Sequence, residues 1–138
     1  KVGEPQPAAQ AETEGETGVF RIRFSAGEIL YAVSCDMGAS NVWWAAALLE
    51  GKTVTRLSFP MADDTGQLQA EQQVGGPQWD SEKSVLRSGL LRGCAGANQL
   101  IADFRLVDGK LQLVHQDVTD AGENCDKPVT TVLYPKSK

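Results

Sequence analysis

With 138 residues, 41% of them hydrophobic, the chain suits one domain with a single core. Its net charge of −5 is uneven: four glutamates against Lys1 put −3 on residues 1–18 and leave −2 on the rest. That near-neutral remainder has no electrostatic footprint for nucleic acid or an anionic membrane surface, and the longest apolar run, Val42 to Leu49, is far too short to span a bilayer.

No hydrophobic leader precedes Lys1. A mature exported product and a trimmed chain both read this way, so its absence does not argue for the cytoplasm. Residues 1–18 are rich in Pro, Gln, Glu, Ala and Gly and hold no large apolar residue besides Val2. They bury too little surface to offset chain entropy, which predicts a disordered acidic tail or linker ahead of a single β domain over 19–138.

Val19 to Phe24 alternates, with Phe20, Ile22 and Phe24 on one face. Ser25-Ala26-Gly27 permits a turn, and Glu28 to Cys35 follows with Ile29, Tyr31, Val33 and Cys35 aligned. Pairing Phe24 with Ile29, Ile22 with Tyr31 and Phe20 with Val33 keeps one apolar face. Residues 36–41 read as a loop. Val42 to Leu49 is apolar on both faces, as in a covered central strand. Thr53 to Phe59 returns after Glu50-Gly51-Lys52 and places Leu57 and Phe59 with Trp44 and Leu48. The long polar segment 60–80 is expected to cover a sheet edge and to hold a short helix near Leu68–Gln73. Lys83 to Leu91 is a further strand, and Gly93 and Gly96 mark a bend.

Gln99 to Val118 is the strongest pattern in the chain. Asp108-Gly109 suits a two-residue type I′ turn between two apolar runs. In that register Leu106 faces Leu111, Phe104 faces Leu113 and Ala102 faces His115 on the apolar side. Asp103 then faces Val114, and Ile101 faces Gln116, on the other side. A loop follows to Pro128, and Val129 to Tyr134 is a last short strand. Successive hairpins with at most one short helix predict an all-β antiparallel fold, either a sandwich or a partly closed barrel.

Three cysteines fit one disulfide plus a thiol, or three reduced thiols. Cys94 and Cys125 bracket the Asp108-Gly109 hairpin at similar distances from its turn. Strands of similar length return their ends to one edge, so these two are expected to pair, with Cys35 a buried thiol. No Cys-x-x-Cys pair supports a zinc site, and no cofactor is expected. His115 is the sole histidine, so any Ser-His or Cys-His chemistry must use it. The register above places it on the apolar face, away from Asp103 and from any orienting carboxylate. Asp63-Asp64-x-Gly66 lacks the ligand spacing of a calcium loop and reads as a solvated turn. Asp80 and Glu82 have no partner strand to fix a catalytic separation. Trp43, Arg56 and Trp79 are the candidate binding residues: Trp43 shares a strand face with polar Arg56 and Ser58, where it is either covered by the 60–80 segment as part of the core, the commoner fate of a large aromatic, or exposed as an interaction anchor.

Several segments resemble one family in their order: Cys35-x-x-Gly38-Ala39-x-Asn41, Phe59-Pro60, Trp79-Asp80 with Leu86 and Ser88, Arg92-Gly93-Cys94-x-Gly96, Asp108-Gly109-Lys110, and Cys125-Asp126. The chain is similar over about residues 28–134 to exported Gram-negative proteins classed as a domain of unknown function. Ser40 stands where that family has Tyr, Val107 where it has Trp, and the Gly-rich run is shortened. The resemblance implies a β-rich fold and a periplasmic or secreted location, and it offers no catalytic residue. Taken with the lack of an assembled nucleophile, base and oxyanion site, it points to a non-enzymatic binding module of the bacterial envelope. An inhibitor or immunity protein for a secreted hydrolase is the specific form. An envelope hydrolase acting on cell-wall glycan or peptide through Asp80, Glu82 or His115 is the alternative. A structural domain of a larger envelope protein is a third.

Overall fold

The computed structural model describes residues 8–14, 18–37 and 41–136. In chain order the strands are β1 (Ala8–Glu14), β2 (Val19–Phe24), β3 (Ile29–Met37), β4 (Val42–Glu50), β5 (Thr53–Leu57), β6 (Phe59–Ala62) and β7 (Leu68–Glu71). They continue as β8 (Val74–Gly75), β9 (Gln78–Asp80), β10 (Val85–Gly93), β11 (Asn98–Val107), β12 (Lys110–Asp120) and β13 (Val129–Tyr134). One sheet runs β1-β2-β3-β4-β5, with β8 also on β4; a second runs β13-β12-β11-β10-β9; β6 and β7 form a separate hairpin. Every pairing is antiparallel. The fold is all-β, and neither large sheet closes into a barrel.

The two large sheets share one core. Phe20, Ile22, Phe24, Leu30 and Leu48 of the first meet Leu86, Phe104, Leu106 and Leu113 of the second. Phe59 joins them edge-on to Phe104, with ring centroids 5.4 Å apart. Burying a side chain of this size contributes about 1.5–3 kcal/mol, so this shared layer is what holds the sheets face to face.

At the N-terminal end the structure differs from a contact-free tail. Ala8–Glu14 pair with β2 as an edge strand, Ala11 opposite Ile22. Residues 1–7 and 15–17 lie outside the described residues, as do Gly38, Ala39 and Ser40 of the expected loop. The other end of that loop is taken up by β3, which continues through Asp36 and Met37.

The β2–β3 hairpin forms, but one residue out of the expected register. Gly27 adopts φ +96°, its N–H bonds to the Phe24 carbonyl at 3.0 Å, and the Phe24 N–H bonds to the Glu28 carbonyl at 2.8 Å. That is a three-residue loop closed by a left-handed glycine, a geometry an L side chain resists. It pairs Ile22 with Leu30 and Phe20 with Ala32. A one-residue slip exchanges the faces of a strand. Leu30 and Ala32 are therefore buried, Val33 is exposed, and Cys35 is an exposed thiol rather than a buried one.

Asp108 and Gly109 both have positive φ, 51° and 75°, and make the two-residue turn between β11 and β12. Leu106 faces Leu111 and Phe104 faces Leu113, as the pattern requires. Beyond them β12 carries an extra residue, Val114, and the register shifts, so Asp103 faces His115 and Ala102 faces Gln116. This bulge corrects the placement of His115. Gln116, not His115, turns into the core, where it is 1% exposed.

The segment after β5 holds no helix near Leu68–Gln73. Instead β7 pairs back on β6, with Ala62 opposite Leu68. Asp63 closes the turn between them: its Oδ1 accepts from the Thr65 N–H at 2.9 Å, the Thr65 hydroxyl at 2.6 Å and the Gln67 N–H at 3.0 Å. Further along, β8 and β9 cover β4 and β10, as an edge-covering segment should.

Cys94 lies in a short 3-10 turn after β10, and Cys125 in the turn after β12. They form a disulfide with Cα atoms 5.4 Å apart, tying together the connections that flank the β11–β12 hairpin.

Candidate functional site

At Gly75 the two sheets approach each other closely. Strand β8 belongs to the first sheet through pairs with Trp43 and Trp44. On its other side a Cβ at Gly75 would stand 2.8 Å from the Gly89 carbonyl oxygen, so only glycine allows this approach. The buried Ser88 hydroxyl of β10 donates to the Gly75 carbonyl at 2.6 Å and fixes the contact.

The β6–β7 hairpin forms the other jaw. Its anchor is the side-chain amide of Gln116, whose Oε1 accepts from the Ala62 N–H at 2.7 Å and whose Nε2 donates to the Ala62 carbonyl at 2.9 Å. Both atoms of a buried amide are thereby satisfied, and the hairpin is pinned to β12 by what amounts to one rung of a ladder.

Between the jaws lies a cleft of about 360 Å³. Trp43, Met61, Leu90 and Leu100 supply its apolar wall, and the charged residues on that wall are Asp63 and Glu71. The Thr65 hydroxyl, and then the Gln67 backbone N–H, hold the Asp63 carboxyl below the ordinary aspartate value. The site is thus open, largely apolar and negatively charged. Its lining is an apolar stretch with a few placed polar groups.

A second cluster lies on the outer face of the second sheet. Because of the Val114 bulge, His115 shares that face with Asp103 and Asp117. His115 Nε2 lies 2.9 Å from Asp117 Oδ2, so a carboxylate does stand beside the histidine, contrary to the expectation from the unbulged register. Arg87 donates through Nε and Nη2 to the two oxygens of Asp103, at 2.7 and 3.0 Å. The hydrogen bond to Asp103 raises the Arg87 pKa further above its ordinary value. Neither His115 nor Asp117 lies on the wall of the cleft.

The three candidate binding residues are not brought together. Trp43 lines the cleft, Trp79 packs on the core edge-on to Phe24 at 6.0 Å, and Arg56 lines a separate hollow with Glu50 and Asp108. Asp80 accepts from the Glu82 and Lys83 N–H groups at 3.0 and 3.1 Å, which makes it a turn cap. Asp63 is a turn residue as the sequence indicates, and also a wall residue of the cleft. Sequence reasoning missed Ser88, Gly75 and Gln116. The signal for Gln116 was a second polar residue beside His115 in an apolar strand, which one bulge moves inward.

Among the described residues no group of three His, Cys, Asp or Glu is placed to hold a metal ion, and no helix is long and apolar enough to cross a membrane. No family model, no curated protein and no solved structure matches the chain.

Proposed function

We propose that this chain is a non-enzymatic binding module exported to the bacterial envelope, and that it receives part of a partner protein in the cleft between β8 and the β6–β7 hairpin. The observation that carries this reading is the cleft itself: about 360 Å³, apolar along Trp43, Met61 and Leu90, and held open by two buried hydrogen-bonded contacts, at Gly75 and Ala62. The Cys94–Cys125 disulfide supports an oxidising compartment, and the resemblance in motif order to exported Gram-negative proteins supports the periplasm or the exterior. An inhibitor or immunity protein for a secreted hydrolase is the form that suits a small acidic disulfide-tied domain.

The test is capture from a periplasmic extract on immobilised full chain, repeated with Leu90→Trp, which fills the cleft. A partner retained by the native chain and lost by the variant, at unchanged Tm, supports the reading. No partner at micromolar protein, or capture indifferent to Leu90→Trp, refutes it.

The His115–Asp117 contact favours one alternative, an envelope hydrolase using His115 as base. Peptidoglycan turnover lost in His115→Ala would establish it.

A further inference from the structure

We infer that the group received by the cleft is a basic side chain, a lysine or arginine of the partner protein. This rests on the reading of the cleft as the binding site. The wall offers a stretch of apolar surface from Met61, Leu90 and Leu100, suited to an aliphatic stem, and an indole at Trp43, whose face attracts cations. Its charged members are Asp63 and Glu71, and no lysine or arginine shares the wall with them.

The two carboxylates belong to opposite ends of one hairpin. Glu71 pairs with Phe59, while Asp63 directly follows Ala62. Four residues of strand separate those positions, roughly 13 Å at about 3.3 Å per residue. A stem lying along the apolar wall therefore meets a carboxylate at whichever end it places its charge.

The wall's buried polar groups are already committed. The Ser88 hydroxyl donates to the Gly75 carbonyl, and both polar atoms of the Gln116 amide serve Ala62. An anionic group would meet like charge and find these donors occupied. A neutral group would leave the two carboxylates unused. The hydrogen bond from the Thr65 hydroxyl holds the Asp63 carboxyl below its ordinary value, which favours its charged form.

The experiment is an NMR titration of the full chain, followed at the Trp43 indole N–H and the Leu90 amide. The probes are n-hexylammonium, n-hexanoate and a blocked tripeptide with a central lysine. Hexylammonium and the lysine peptide should shift both signals, and hexanoate at the same concentration should not. Asp63→Asn with Glu71→Gln should weaken the cation about tenfold or more, as loss of charge-assisted contacts does. The side-chain amide that Asp63→Asn introduces still accepts hydrogen bonds, so the turn survives, and Tm checks this. Equal binding of hexanoate, or cation binding indifferent to the double variant, overturns the inference.

Spermidine binding a hundredfold more tightly than the lysine peptide assigns the site to free polyamines and also overturns it. Partner capture that depends on Leu90 while hexylammonium leaves both signals unmoved defeats this inference alone and leaves the binding-module reading standing. Cation binding with no partner captured defeats the binding-module reading and, with it, the assignment to a partner's side chain.

Discussion

Replacing Gln116 by leucine keeps the side-chain volume near native and removes both hydrogen bonds to Ala62. Gln116 is 1% exposed and Ala62 is 8% exposed, so water does not readily replace the lost partners. The variant leaves one backbone N–H and one backbone carbonyl unpaired in the interior. Each such group costs about 1–3 kcal/mol, so the pair should cost roughly 2–6 kcal/mol, which the extra apolar surface offsets to a net of about 2–4 kcal/mol. Urea unfolding followed by circular dichroism measures this directly. With a slope near 2 kcal/mol/M, the midpoint should fall by about 1–2 M. Hydrogen exchange at Ala62 should accelerate more than exchange at Leu106, because the hairpin detaches before the core opens. A loss below about 1 kcal/mol, with Ala62 exchange unchanged, would refute the claim that the amide anchors the hairpin.

Removing the disulfide as Cys94→Ser with Cys125→Ser, across a sequence separation of 31, should cost about 3–4 kcal/mol, read from the same urea curves. Peptide mapping without reduction should show Cys94 linked to Cys125 and Cys35 alkylated before any denaturant is added, since that thiol is exposed. Gly75→Ala places a Cβ 2.8 Å from the Gly89 carbonyl, so β8 must shift, at about 1–3 kcal/mol, and a Tm within a degree of native would contradict the close approach. Asp63 should titrate below the ordinary value of 3.8 in a carboxyl-detected NMR titration. Because its folded pKa is depressed, its contribution to stability is complete above the unfolded pKa and fades as pH falls through the folded one. Asp63→Asn should flatten that acid limb, and a native midpoint at or above 3.8 would sink the account.

Much of the architecture is written locally. Asp108-Gly109 dictates a tight turn, and the alternation on either side of it dictates which residues face in. Cys94 and Cys125 then fall at the same end of the second sheet, which makes their pairing a matter of chain counting. What could not be read are the single-residue decisions. Ile29, Tyr31 and Val33 form as good an apolar set as Leu30 and Ala32, and only the left-handed Gly27 loop selects the second set. Likewise the Val114 bulge exchanges one polar residue for another, His115 for Gln116, so hydrophobic pattern is blind to it. The cleft was out of reach for a different reason. Its walls come from β4, β8, β10, β11, β12 and the β6–β7 hairpin, and the 60–80 segment has no period that reveals short strands. Trp43 alone carried a hint, as an aromatic on a polar face.

The contact at Gly75 sets a dimension. With no side chain there, the spacing of β8 from β10 is set by Gly75 on one side and by Gly89 and Leu90 on the other. Substitutions at Gln69, Glu71 or Gln73 alter the polarity of the wall without altering that spacing. One jaw of the cleft is thus set by main chain on β8 and β10, while the lining opposite it is interchangeable. A chain that keeps the two glycines and the Ser88 hydroxyl can therefore change what the opposite wall admits while keeping this jaw in place.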